Sequence, residues 1–184
     1  MARPQYEGVI VLGAHRSGTT LLRRLLDAHP QIACPPETNV FAGMARFMRE
    51  DRFADGTLGT ISGLAFAGLP PAKSIPMMRE FAFSLHRAIA AKQGKPIWAS
   101  KTAVDSLYID QIEALCGDHT RFVCITRHGM DVACSVQELC VKQEAYLPEL
   151  WEYLRVCPFP LEAFAKMWID ITTRLMRFTA DHPD

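Results

Sequence analysis

The sequence contains no apolar run long enough to cross a bilayer. The longest, such as VIVLGA and GLAFAGLPP, stop far short of the roughly 20 residues a spanning helix needs. The first residues, MARPQYEG, lack the apolar core of a secretory leader. No CxxC pair occurs among the six cysteines (Cys34, Cys116, Cys124, Cys134, Cys140 and Cys157). That argues against a zinc ribbon or a thioredoxin-type centre, and reduced, mostly buried thiols in a cytoplasmic protein are expected. An excess of charge is missing too: 20 Lys+Arg balance 20 Asp+Glu. No bulk field is available for nucleic acid or a membrane surface, so neither is an expected partner and any anion site must be local. Repeats, low-complexity tracts and linkers are absent. A chain of 184 residues that is 49% hydrophobic reads as one α/β domain, residues 1–184, with one sizeable core.

What is present alternates. Val9 to Leu12 is a continuous apolar, β-branched run ending at a glycine, the pattern of a buried parallel strand. Leu21, Leu22, Leu25 and Leu26 then repeat at helical spacing until His29-Pro30. A short extended piece, QIAC, runs into Pro35-Pro36, which forbid a helix and set Glu37 just past a strand end. The pattern predicts helices over about 41–52, 76–91, 105–115, 129–142 and 161–179, with a loop holding at most a short helix over 55–74. PIWAS is a predicted strand that delivers Lys101 and Thr102, and RFVCITR one that ends at Arg127. Strand–helix alternation predicts a parallel sheet with helices on both faces, of the P-loop nucleotide-binding type. Ligands of such sheets bind beyond the carboxyl ends of the strands. Arg16, Glu37, Lys101 and Arg127 all fall there.

The stretch Gly13-Ala14-His15-Arg16-Ser17-Gly18-Thr19-Thr20 has phosphate-loop spacing between strand and helix. Its backbone N–H groups and the helix dipole favour an anion. Ser17, Thr19 and Thr20 add hydroxyls, and Arg16 can clamp two oxygens at once. The lysine that reaches β- and γ-phosphates in nucleoside triphosphatases is replaced by Thr19, and no magnesium-holding carboxylate closes RFVCITR. A nucleotide with one internal anhydride, bound without a metal, fits better. His86 and His119 have no partners at ligand spacing, so no metal site is expected. Trp98, Trp151 and Trp168 read as core or rim, and Arg23-Arg24 as the polar face of the loop helix.

GAHRSGTTLLRRLLDAHPQIACPPET resembles the 5′-phosphosulfate loop of sulfotransferases that use 3′-phosphoadenosine-5′-phosphosulfate (PAPS), nearest the protein-tyrosine sulfotransferase branch and its bacterial relatives. ITRHGMDVACSV resembles the second signature of that family, and ASKTAVDS its lysine segment. The resemblance implies that Arg16, Ser17, Gly18, Thr19 and Thr20 hold the 5′-phosphate side of PAPS, and that Arg127 and Ser135 hold the 3′-phosphate. It also implies that Glu37 is the general base and that Arg16 and Lys101 steady the transferring and leaving groups. The product is then PAP, adenosine 3′,5′-bisphosphate.

The chain departs from the family pattern at several places. His15 replaces a common proline, and His128 a common acidic residue. Asn39 stands where tyrosine-sulfating relatives carry an acceptor-reading arginine, which shifts the expected acceptor from a peptide towards a carbohydrate or small hydroxylated molecule. The family's further C-terminal strand has no counterpart, so the chain is expected to be a family domain incomplete at its C-terminus (a fragment, one completed from elsewhere, or a reduced relative), whose sheet keeps an uncovered apolar edge that self-association into a homo-oligomer would cover. The competing readings are a domain that binds PAP or PAPS without turnover, and a P-loop kinase or nucleoside triphosphatase.

Overall fold

The computed structural model describes residues 6–53, 56–146 and 148–182; the leader reading of residues 1–5 and the start of the predicted loop at Asp55 lie outside them. The chain runs β1 (Gly8–Leu12), α1 (Thr19–Ala28), β2 (Ile32–Ala33), α2 (Val40–Phe47), β3 (Glu50–Phe53), β4 (Gly56–Gly59), α3 (Thr60–Phe66) and α4 (Pro71–Lys92). It continues through β5 (Ile97–Lys101), a 3-10 turn (Ala103–Tyr108), α5 (Ile109–Cys116), β6 (Thr120–Cys124), α6 (Gly129–Gln143), α7 (Trp151–Leu154) and α8 (Pro160–Asp181). Among the described residues the main sheet is parallel, in the order β2-β5-β1-β6. β1 is central because its residues 10–12 are apolar and wholly buried, as a strand covered on both faces must be.

Register decides where the chemistry emerges. Val11 pairs with Lys101, and Leu12 with Cys124. The loop after β1, the lysine ending β5 and the segment after β6 therefore leave the sheet along one edge. Beneath it, Trp98 of β5 is 1% exposed and packs with Phe41 of α2, Phe83 and His86 of α4. His86 donates its Nδ1–H to the Ala82 carbonyl at 2.8 Å, and burial lowers its pKa, so it is a neutral core histidine.

The expected elements mostly form, with specific corrections. The helix predicted over 41–52 stops at Phe47, and the chain turns into the antiparallel hairpin β3–β4. Its charged strand, EDRF, carries no alternating apolar signal. The predicted loop over 55–74 contains a short helix, α3, as expected, but also β4 and the start of α4. Helix α4 begins at Pro71, not Pro76, because proline suits the first helical position, and the helix runs on through Pro76. The helix predicted from Asp105 opens as a 3-10 turn. Strand β6 ends at Cys124, although the Ile125 N–H still reaches the Leu12 carbonyl at 2.9 Å. On α1, Leu21 and Leu25 are exposed, so half of its apolar stripe is unused. Three cysteines (Cys34, Cys116, Cys140) are buried, while Cys134 is exposed. No helix of the described residues is long and apolar enough to cross a membrane.

The aromatic cluster on β5 sets the fold's rigidity under the lysine. Trp98→Ala should cost about 3–5 kcal/mol in urea unfolding monitored by far-ultraviolet circular dichroism; a loss under about 1 kcal/mol would remove the tryptophan from the core.

Candidate active site

The loop leaving β1 is tied down from below. The Gly13 N–H donates to Ser106 Oγ at 2.6 Å, and the Ser106 hydroxyl donates back to the Gly13 carbonyl at 3.0 Å. A Cβ on Gly13 would lie 2.7 Å from the Ile125 carbonyl oxygen, so only glycine allows this approach of the two strand ends. Arg16 sits in the left-handed region with φ 66°, a strained state for a non-glycine residue. Gly18, with φ 94°, turns the chain into α1. The first turn of α1 carries no acidic side chain, and Gly18 offers no side-chain cap. Its leading N–H groups are thus left for an external anion.

The predicted residues gather in two groups. In the first, Arg16 Nε donates to Ser135 Oγ of α6 at 2.9 Å, and Arg127 Nη1 donates to the Arg16 carbonyl at 3.3 Å. Arg127 also pairs with Asp131 at 3.5 Å. Trp168 of α8, which the sequence places in the core or at a rim, donates its indole N–H to the Arg127 carbonyl at 3.0 Å and lies against Gly129. Ser135 therefore meets Arg16 rather than Arg127, and all three stand on the rim of the loop. In the second group, Lys101 Nζ is ion-paired with Glu37 Oε1. The lysine side chain is 3% exposed and the glutamate 41%, so a buried ammonium meets a carboxylate that faces solvent. Ser17 and Thr19 are buried within the loop, and Thr20 is exposed.

Glu37 is aimed by α1. Asp27 Oδ1 accepts the Cys34 N–H at 2.9 Å, while Arg23 Nη1 donates to the Cys34 carbonyl at 2.9 Å. Lys95 in turn pairs with Asp27 at 3.6 Å. Arg23, expected on a solvated face, instead helps hold both backbone groups of the residue that leads into Pro35-Pro36-Glu37. Asn39 adopts φ 56° before α2, a left-handed position that asparagine tolerates and bulkier residues resist.

Several polar atoms beneath the pair are buried without a partner among the described residues: His15 Nδ1, Ser17 Oγ, Thr102 Oγ1 and both oxygens of Asp105. Buried polar groups are normally satisfied, so such a cluster at strand tips marks a place for a ligand or ordered water. Burial lowers the His15 pKa against the opposing pull of Glu37 and Glu149, which keeps that ring neutral. Asp105 is fully buried, and desolvation pushes its carboxyl up to about 8. The backbone of Ala42 pulls the other way, but no described group reaches either oxygen at hydrogen-bond geometry. Asp105 and Ser106 lie in the same ASKTAVDS segment as Lys101; two buried polar residues there were the signal.

The loop, the orphaned hydroxyls and the three cations (Arg16, Arg127 and Lys101) suit a phosphate-bearing ligand. A model of the sulfotransferase family matches residues 8–183, so the chain belongs to that family. Nodulation protein NoeE of Sinorhizobium fredii (strain NBRC 101917 / NGR234) is 32% identical over 105 residues, which is 57% of this chain and 25% of that protein. The solved sulfotransferase domain from the curacin biosynthetic pathway superposes with a TM-score of 0.58 at 16% identity, over 96% of this chain and 64% of that one. This second likeness shows the fold alone. The chain thus spans less than two thirds of either relative.

Asp105 makes stability depend on pH. The unfolded carboxyl releases its proton near 3.8, while the folded one keeps it to about 8. Between those values the folded state holds one more proton, so stability falls as pH rises. Asp105→Asn removes this penalty. Its melting temperature relative to the parent chain should climb between about pH 4 and pH 8, by about 2–4 °C for each kcal/mol; a gap that stays flat across that window would contradict the protonated carboxyl.

Proposed function

We propose that this sulfotransferase-family chain moves a sulfuryl group from PAPS to an acceptor hydroxyl. The observation that carries the reading is the Lys101–Glu37 pair set beside a helix N-terminus with no acidic residue and no side-chain cap. An anion-accepting loop, a buried cation and a carboxylate facing solvent are the three parts that in-line displacement at sulfur requires.

In this reading the 5′-phosphate lies on the amides of residues 13–20, with Ser17, Thr19 and Thr20 donating hydroxyls. Arg127, Ser135 and Arg16 form the rim that takes the 3′-phosphate and the sulfonate edge. The acceptor oxygen forms a bond to sulfur as the bond from sulfur to the bridging phosphate oxygen breaks. The electron pair of that bond stays on the departing phosphate, where Lys101 and Arg16 meet the new charge. The acceptor proton passes to the Glu37 carboxylate. Before donor binds, Lys101 is engaged by Glu37; an incoming phosphosulfate competes for the ammonium and leaves the carboxylate to accept the proton.

Two substitutions test the assignment in a sulfate-transfer assay with labelled PAPS. Glu37→Gln should lower kcat by about 10²–10⁴-fold, the usual worth of a positioned base, with donor affinity unchanged or raised, because the carboxylate no longer competes for Lys101; a large affinity loss at unchanged kcat would make the glutamate a binding residue. Arg127→Ala should weaken PAP binding at least about tenfold while adenosine 5′-monophosphate binding barely moves, since a charge-assisted phosphate contact is worth roughly 1.5–3 kcal/mol. Equal losses for both nucleotides would take Arg127 away from the 3′-phosphate.

A further inference from the structure

A cleft of about 390 Å³ opens between α2, the 3-10 turn with α5, and the α7–α8 corner. That volume is typical of a small-ligand site. Two of its walls, α2 and the 3-10 turn, pack on one another and are the segments that follow Glu37 and Lys101 in the chain. Helix α2 begins three residues after Glu37. The 3-10 turn that floors it begins two residues after Lys101.

The lining is specific in its charge. Arg46, Arg49 and Arg174 face Glu149, Glu152 and Asp170, so the wall carries no net charge. The arginines are already matched: Arg46 with Glu149, Arg49 with Glu152 at 3.5 Å, and Arg174 with Asp110 at 3.1 Å. An acidic peptide would find no uncompensated cation here. A flat apolar acceptor fares no better, because Leu107 and Pro148 are the aliphatic side chains of the lining among the described residues.

Hydrogen-bonding groups are plentiful and held in place. The Tyr153 hydroxyl donates to Asp170 Oδ2 at 2.8 Å, and burial holds that phenol protonated. Arg46 Nε donates to the Tyr108 hydroxyl at 3.3 Å and its guanidinium lies 5.6 Å from the ring centroid. Gln111 adds an amide with both donor and acceptor. Carboxylates, guanidinium groups and an amide interleaved with two tyrosine rings suit a neutral polyol: hydroxyls pair with the polar groups, and the C–H face of a ring covers an aromatic.

We propose that this cleft is the acceptor site and that it takes a neutral, polyhydroxylated ligand of the oligosaccharide class, presenting one hydroxyl to Glu37. The proposal rests on the sulfotransferase reading for its chemistry, but not for its binding. Saturation-transfer difference spectra of the chain with a panel of neutral tetrasaccharides (maltotetraose, cellotetraose, tetra-N-acetylchitotetraose), recorded without donor, therefore test it separately. At least one sugar should show transfer, and Tyr108→Ala and Gln111→Ala should each weaken that signal about tenfold in apparent affinity, while PAP binding stays unchanged. Gln111 is at the cleft surface, so its variant stays informative where removing the tyrosine unfolds the chain. With labelled PAPS, the same sugar should accept sulfate, and 2-naphthol and an acidic tyrosyl peptide should not. Absence of saccharide signal, signals indifferent to both variants, or preferred transfer to naphthol or peptide would overturn the proposal. Saccharide binding without any transfer would keep the site and refute the enzymatic reading instead.

Discussion

A buried ammonium ion at the tip of a strand constrains everything around it. Lys101 is carried to the carboxyl edge of the sheet by β5, where its side chain is 3% exposed. Moving an ion of that size out of water costs several kcal/mol unless a counter-charge follows it. The counter-charge is Glu37, and delivering it takes the cooperation of distant segments. Arg23 and Asp27 hold the backbone of Cys34, two prolines keep the next residues extended, and Lys95 steadies Asp27. Helix α1, the short strand β2 and β5 are thereby locked into one arrangement by a single charge. A buried pair with one partner half in solvent is also poised to exchange: a stronger anion can take the ammonium without stranding the carboxylate.

The second constraint is how the proposed anion loop would work without a lysine. Here the positive end of α1, whose first turn holds no acidic residue, and the guanidinium of Arg16 supply the field. The left-handed backbone at Arg16 turns its carbonyl to Arg127, which fastens the loop to the start of α6. Ser106 fastens its other end through both backbone groups of Gly13. The loop is therefore held from two sides before any ligand arrives, which is what electrostatic preorganisation requires. Under it, Asp105 keeps its proton, so the floor does not cancel the charge of Lys101.

Much of this is readable from residues alone, and the reasons differ by element. The buried parallel strand at Val9–Leu12, the loop and the lysine ending PIWAS carry strong local signals: unbroken β-branched runs, paired glycines, a cation at a strand end. The parallel sheet follows from alternation. The hairpin β3–β4 is hidden because its strands are charged and glycine-rich, and the start of α4 because Pro76 reads as a boundary when Pro71 is the true one. What no local pattern exposes is a contact across the fold. The pairing of Ser135 with Arg16, the clamp of Arg23 on Cys34 and the orphaned carboxyl of Asp105 each depend on segments that only the three-dimensional arrangement brings together. Asn39 shows a different limit: a substitution that reads as a statement about acceptors also answers a backbone demand for positive φ.

The proposed transfer requires Lys101 to exchange one anion for another. A crystal structure of the chain with adenosine 3′,5′-bisphosphate observes that exchange directly. The 5′-phosphate should rest on the amides of residues 13–20, with Lys101 Nζ drawn from Glu37 onto a phosphate oxygen and the 3′-phosphate against Arg127. A nucleotide bound elsewhere, or bound there with Lys101 still committed to Glu37 alone, would contradict it.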